Sequence, residues 1–358
     1  MQNYKSFFKD ETVYIGIDVH LKQWHVCIRT KHLSPKPFSQ PASAEALRSY
    51  LDCHFPGGDY CAAHEIGFSG FSIHYELERL GIRSIVFNPA DICDTQKERS
   101  RKTDAVDCRK ICRNLMNGDL TPIYVPSQAE LSDRGFLRAY DNSVKLKRLS
   151  KQRIKSLLHR NGVSYPEAFE AGKGHWSRRF MQWLAVVEDS LGGGEGYRLH
   201  ELVEDHNYAH SQFLRAGRAV CDVIKKKHFD KDRLLRSVPG IGRVTSSRFC
   251  LELPDIHLFK NSDHLAGYVG LVPDVRVSDD HIYVRGVTHR GKPLLRSSLI
   301  ESAWRAIVVD PALGAAYTKY IKRGIKPNNA IVRIARKLLN RIHFVLREEK
   351  MYERGRER

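Results

Sequence analysis

Val13-Tyr14-Ile15-Gly16-Ile17-Asp18-Val19 is an apolar run carrying one carboxylate near its end, and Trp24-His25-Val26-Cys27-Ile28 follows five residues later. Both are rich in β-branched and aromatic residues, which predicts two strands joined as a hairpin. Working outward, the pattern predicts a helix from Ala42 to Leu51, a strand from Tyr60 to His64 running into Glu65, a helix from Phe71 to Leu80 and a strand from Ser84 to Asn88. Strands and helices alternating in this way indicate an α/β domain. A further helix begins after Lys102-Thr103 and carries Val106, Ile111 and Leu115, and Leu120 to Pro126 closes a unit expected to span 10–126.

Beyond that point strand signals stop. Leu137, Val144, Leu149, Ile154 and Leu158 recur at intervals of four to seven residues, which reads as a helical hairpin or coiled-coil arm over 127–233. From Arg134 to Arg160 there are nine basic residues (134, 138, 145, 147, 148, 151, 153, 155, 160) against one acid, Asp141, a local charge of +8. Solvated helix faces usually mix signs, so this excess points to nucleic acid or to dimerisation. Gly192-Gly193-Gly194-Glu195-Gly196 marks the turn before a returning helix over 198–227. A third, mainly helical unit is expected over 234–346, and the charged tail 347–358 is expected to fray.

The 358 residues contain 59 Lys+Arg and 41 Asp+Glu, a net charge of +18, with 42% hydrophobic residues. That composition supports real cores and excludes a disordered tail or a small disulfide scaffold. The positive excess calls for a polyanionic partner, most simply nucleic acid. No apolar run approaches the roughly 18 residues a membrane span requires, and the opening MQNYKSFFKDETVY lacks an apolar signal segment, so a cytoplasmic protein with no membrane partner is expected. The eight cysteines form no C-x-x-C pair, which favours reduced thiols over disulfides or a zinc site.

Four carboxylates suggest chemistry. Asp18 and Glu65 end strands, and Asp104 and Asp107 lie three apart on one helix face. Such a set can hold two divalent ions about 3.5–4 Å apart for attack on phosphodiesters, and Mg2+ suits hard oxygen donors. Lys97, Arg99, Arg101 and Lys102 precede the acidic pair and form a candidate phosphate rim. Val238-Pro239-Gly240-Ile241-Gly242 resembles the hairpin of a helix-hairpin-helix, in which Gly240 and Gly242 would admit a phosphate to backbone N–H groups. Arg285-Gly286-Val287-Thr288-His289-Arg290-Gly291-Lys292-Pro293-Leu294-Leu295-Arg296 reads as a basic loop entering a helix. Nucleic-acid contacts are therefore expected from Lys102, Arg148, Lys151, Arg153, Lys155, Gly240, Gly242, Arg285, Arg290, Lys292 and Arg296. Cys108 and Cys112 read as helix-packing thiols, and His20, His64 and His289 show no ligand or triad spacing. Ser278, in Val277-Ser278-Asp279-Asp280, reads on its own as a loop serine.

Taken together, these motifs resemble the DEDD transposases of the insertion-sequence family numbered one-hundred-ten, relatives of the Piv/MooV DNA invertases. The resemblance is carried by His64-Glu65-Ile66-Gly67-Phe68-Ser69-Gly70-Phe71, Leu80-Gly81-Ile82, Asn88-Pro89-Ala90, Lys102-Thr103-Asp104-Ala105-Val106-Asp107 and Gly118-Asp119-Leu120-Thr121-Pro122. In the C-terminal half, Val238 to Gly242, Gly270-Leu271-Val272-Pro273 and Gly291 to Arg296 add to it. It implies a RuvC-like (RNase H-like) N-terminal domain and a C-terminal transposase domain. By it, Asp18, Glu65, Asp104 and Asp107 are the metal ligands and Ser278 is the nucleophile. It further implies Mg2+-assisted serine attack on DNA, a homo-oligomer (dimer or tetramer) and a structured guide RNA pairing with donor and target DNA. Two other readings stay open: a RuvC-type structure-selective nuclease that does not need Ser278, and a non-catalytic nucleic-acid-binding protein derived from a transposase.

Overall fold

A computed structural model describes residues 8–33, 36–89, 104–170, 172, 174–278, 281–288 and 290–353. The chain divides into two compact units, 1–125 and 126–358.

The first unit is built on a five-stranded mixed sheet. Its strands are β1 (Thr12–Val19), β2 (Gln23–Arg29), β3 (Lys36–Pro41), β4 (Asp59–Glu65) and β5 (Arg83–Phe87), in the order β3-β2-β1-β4-β5. β1, β2 and β3 pair antiparallel, whereas β4 runs parallel to both β1 and β5. Helices α1 (Ala44–His54) and α2 (Ser72–Arg79) supply the connections that parallel pairing requires. Ser43 caps α1 by accepting from the Ala46 N–H at 3.1 Å. Side chains alternate along each strand, so the sheet has two distinct faces. Val13, Ile15 and Ile17 with Trp24, Val26 and Ile28 bury one face against Leu47, Leu51, Ile73 and Leu77 of α1 and α2. The opposite face, with Cys27, Cys61, Ala63 and Phe87, is covered by α3 (Asp104–Asn117) through Cys108, Ile111, Cys112 and Leu115.

Strand β3 was not expected from the sequence. Pro37 and Pro41 weaken its strand signal, but β3 lies at the sheet edge, where a missing N–H costs no internal ladder bond.

The second unit is almost wholly helical. α4 (Gln128–Arg160) starts at a capping box in which Ser127 and Glu130 exchange hydrogen bonds. α5 (Arg178–Leu191) and α6 (Gly193–Lys227) follow, and α4 packs along α6. Helix α6 starts at Gly193, five residues before the expected position, so the glycine run is mostly helical and the turn narrows to Gly192. One end of the arm has its own core of Ile154, Leu157, Leu158, Phe169, Phe180, Leu184 and Leu199. Its other end merges with the C-terminal helices α7 (Phe229–Ser237), α8 (Arg243–Glu252), α9 (Ser262–Val269), α10 (Pro293–Val309), α11 (Pro311–Lys322) and α12 (Pro327–Arg347). Leu137, Val220 and Ile224 of the arm share one core with Leu235, Phe249, Leu299 and Leu338. The boundary expected after residue 233 falls inside α7.

Ser278 and Arg285 to Val287, read as loop from the sequence, lie in a hairpin of β6 (Pro273–Ser278) and β7 (His281–Val287). The tail is also more ordered than expected as far as Tyr352. Its backbone N–H donates to Ser237 Oγ at 2.8 Å and its hydroxyl donates to Asp310 at 3.2 Å.

Charge in the arm is only partly a surface property. Arg134 is buried and donates to the Leu251 and Glu252 carbonyls at 3.0 and 3.3 Å. Asp141, the single acid of the basic stretch, is buried and held by both terminal nitrogens of Arg248. Removing one partner of a buried ion pair leaves an uncompensated charge, at a cost of about 3–5 kcal/mol. Asp141→Ala is therefore expected to lower unfolding free energy by about that amount in urea denaturation, whereas Arg153→Ala, on the exposed side of the same helix, should change it by less than about 0.5 kcal/mol.

Candidate active site

The acid set is assembled by the sheet and by one helix. Ile17 of β1 pairs with His64 of β4, so the next residues, Asp18 and Glu65, end neighbouring parallel strands side by side. Both point to the face that carries Gly16 and Ala63, the face covered by α3. Asp104 and Asp107 occupy the first turn of α3, where the positive end of the helix dipole favours carboxylates. Glu65 and Asp104 are exposed and Asp107 is half-buried.

Gly16 permits this arrangement. A Cβ built on it would fall inside contact distance of the Cys108 carbonyl and the Cys112 backbone nitrogen. The α3 backbone thus rests directly on β1, two residues from Asp18 on the same face. Around that contact Cys27, Cys108 and Cys112 form a small buried cluster, and the Cys112 thiol donates to the Tyr14 carbonyl at 3.3 Å. Donating its hydrogen bond to Cys27, together with burial, pushes the pKa of the Cys108 thiol well up, so it stays protonated and acts as packing. His64 is fully buried on the other face, and burial drives its pKa down to about 4. It is a neutral core residue whose Nδ1 lies 3.2 Å from the Glu65 carbonyl.

Two histidines that spacing alone did not single out stand beside the acids. His20 Nε2 is 3.2 Å from Asp18 Oδ2 and 3.8 Å from Asp104 Oδ2, and His25 Nε2 is 3.1 Å from Asp104 Oδ2. The signal available in sequence was the hairpin itself, because its register sets His25 directly opposite Asp18.

In the second unit, Ser278 is the last residue of β6 and pairs with His281 across the hairpin end. The hairpin base is fixed by two glycine-containing turns that touch each other. A Cβ on Gly291 would lie 2.6 Å from the Gly270 nitrogen, and Lys292 N–H donates to the Tyr268 carbonyl at 3.1 Å. Arg296 spans the same turns, donating to the Thr288 carbonyl at 2.6 Å and the Gly270 carbonyl at 3.2 Å. This expected phosphate contact thus has an internal role. Lys292 Nζ lies 3.6 Å from Glu252, and Arg290 is exposed. Arg285 lies on β7.

Gly240 and Gly242 separate α7 from α8, as a helix-hairpin-helix requires, but their surroundings differ. Gly240 has a φ of 84°, and a Cβ there would collide with the Ser302 carbonyl and Ala306 of α10. Its close approach is to protein. Gly242 has open space around it at the start of α8. On α4, Arg148, Arg153 and Lys155 are exposed, while Lys151 is half-buried with its Nζ 4.8 Å above the Trp176 ring. Lys102, with Lys97, Arg99 and Arg101, lies outside the described residues, as does His289.

Replacing Gly16 with Val forces α3 off β1, because the obstructing atoms are backbone. Gly16→Val is expected to cost about 3 kcal/mol or more in thermal or urea unfolding. Gly67→Ala, where a Cβ meets nothing, should leave stability within about 0.5 kcal/mol.

Comparison with known proteins gives this geometry a context. Residues 232–318 match the transposase IS116/IS110/IS902 family. A Sinorhizobium fredii protein named "Putative transposase y4qE" is 27% identical over 241 residues, covering 67% of this chain and 57% of that protein. The transposase for insertion sequence element IS1111A of Coxiella burnetii is 24% identical over 230 residues, covering 63% and 59%. The pilin gene-inverting protein of Moraxella bovis is 30% identical over 126 residues, covering 34% and 38%. The chain spans less than two thirds of the length of each of these relatives. Among the described residues no helix is long and apolar enough to cross a membrane. The chain is thus similar to the IS116/IS110/IS902 transposase family over residues 232–318 of its second unit, and to relatives that include transposases and a gene-inverting protein.

Proposed function

We propose that this chain is a DNA transposase or recombinase whose first unit is a RuvC-like metal-dependent domain and whose second unit supplies a serine nucleophile. The observation that supports the reading is the position of Asp18 and Glu65 one residue beyond the Ile17–His64 pair of adjacent strands, on the face covered by α3, whose first turn carries Asp104 and Asp107. All four are hard oxygen donors, which fits Mg2+. Bound Mg2+ would polarise a phosphodiester and lower the pKa of an attacking hydroxyl. Asp18, Glu65, Asp104 and Asp107 would hold two such ions in the first unit.

In this reading Ser278 Oγ attacks a DNA phosphorus. An Oγ–P bond forms, the phosphorus–oxygen bond to one strand breaks, and the departing strand oxygen takes up a proton. Attack of another strand's hydroxyl on the phosphoserine reverses these changes, restores the serine and joins the strands in a new pairing. Gene inversion, which the name of the Moraxella relative describes, and transposition both follow from such an exchange on differently arranged sites. The net charge of +18 and the exposed basic side of α4 support contacts to donor DNA, target DNA and a structured guide RNA, in a homo-oligomer.

The test uses the full chain with its copurifying RNA, flanking DNA and Mg2+. Strand exchange should fall by at least about 100-fold in Asp104→Ala and Asp107→Ala. Ser278→Ala should abolish covalent protein–DNA adducts while leaving binding intact. Adducts that persist in Ser278→Ala overturn the serine assignment, and cleavage without adducts in wild type supports a RuvC-type nuclease instead. Binding without cleavage or adducts supports a non-catalytic protein.

The arm makes a separate prediction. Replacing Arg148, Arg153 and Lys155 together by Ala should weaken nucleic-acid binding at every sequence tested and flatten the plot of log K against log salt by about three. An unchanged slope would place the phosphate contacts elsewhere.

A further inference from the structure

His20, His25 and Asp104 come from three separate elements: the β1–β2 turn, β2 and the first turn of α3. One ligand atom from each lies within 4.8 Å of the other two. His25 Nε2 and Asp104 Oδ2 are 3.1 Å apart, and His20 Nε2 is 3.8 Å from the same oxygen. Bonds of about 2.0–2.1 Å to a tetrahedral ion set donors roughly 3.3 Å apart, so only His20 has to move inward for all three to share one ion. His20 is half exposed and sits in a turn, which leaves room for that movement.

His25 also has the support expected of a ligand. Its other ring nitrogen, Nδ1, lies 3.0 Å from Ser39 Oγ on β3, which orients the ring and leaves Nε2 facing Asp104. The hairpin register fixes His25 opposite Asp18, so the imidazole is held by backbone as well. The Gln23 amide nitrogen lies 3.3 Å from His25 Nε2, and rotating that amide presents its oxygen as a further donor. Asp18 Oδ2, 3.2 Å from His20 Nε2, borders the same space.

Mg2+ takes oxygen ligands and sheds water reluctantly, whereas imidazole nitrogen selects first-row transition ions. We propose that His20, His25 and Asp104 form a nitrogen–oxygen site for a borderline divalent ion of the zinc class, next to the four-carboxylate set and sharing Asp104 with it. The site requires no DNA and does not depend on the strand-exchange reading. Its effect on that chemistry would run through Asp104, which cannot serve both ions without compromise.

The probe is Co2+, titrated into the full chain without nucleic acid and followed by its visible absorption. The expected result is one tight ion per chain with the intense band of a low-coordinate nitrogen–oxygen site, displaced by Zn2+ and retained in excess Mg2+. His25→Ala and, separately, the turn variant His20→Ala should each weaken Co2+ binding by about 10–100-fold, and Ser39→Ala by about 10-fold. Circular dichroism identifies any variant that has lost its fold, and His20→Ala, at an exposed turn, keeps the test open if His25→Ala does not fold. Glu65→Ala should retain the band. Co2+ affinity unchanged in His20→Ala, or a band that requires Glu65 and Asp107 but neither histidine, overturns the proposal. A retained band in a chain lacking Mg2+-dependent strand exchange defeats the transposase reading alone, and exchange without the band defeats this proposal alone.

Discussion

The absence of a side chain at Gly16 sets the distance on which the first unit depends. Helix α3 lies against β1 backbone to backbone, with the Cys108 carbonyl and Cys112 nitrogen in the space that a Cβ would occupy. Any larger residue would lift the helix and carry Asp104 and Asp107 away from the strand ends. The neighbouring cysteines are small enough to tolerate this proximity, and the Cys108 thiol, held protonated, adds no charge beneath the acids. Packing therefore brings the first turn of α3, with Asp104 and Asp107, to the sheet face on which Asp18 and Glu65 lie. Bringing carboxylates together raises their mutual repulsion, and a bound dication is the usual compensation.

The second unit uses the same device elsewhere. Gly240 seats the α7–α8 turn on α10, and Gly270 and Gly291 let two turns touch beneath the β6–β7 hairpin that ends at Ser278. Arg296 and Arg134, whose charge suggests solvent or phosphate, instead satisfy backbone carbonyls of other segments of the chain. A basic sequence count thus overstates the charge available to a partner. What remains on α4 is an exposed set that includes Arg148, Arg153 and Lys155, beside a cation over an aromatic ring at Lys151 and Trp176. His206, packed into the arm and held at a pKa of about 4 by burial and by Lys151, adds no charge near neutral pH.

The α/β alternation of the first unit, its strand-end acids and the helical arm were legible in sequence because each has a strong local period. Strand β3 was not, since its prolines are tolerated only by virtue of its edge position, which is a property of the assembled sheet. The β6–β7 hairpin was hidden by a basic, glycine-punctuated composition that reads as loop. His20 and His25 carry no motif, and their relation to Asp104 exists only once the hairpin register and the seat of α3 are fixed together. The internal roles of Gly240 and Arg296 were likewise invisible, because the atoms that define them come from α10 and from turns far away in the chain.

The central claim is that the two strand-end carboxylates and the first turn of α3 form one cation-binding region. Anomalous X-ray diffraction from crystals soaked in Mn2+, which replaces Mg2+ at oxygen sites, tests it most directly. The account predicts anomalous density in contact with the carboxylates of Asp18 and Glu65 and at least one of Asp104 and Asp107. An ion that touches neither Asp18 nor Glu65, or no ion at this edge of the sheet at all, would contradict it.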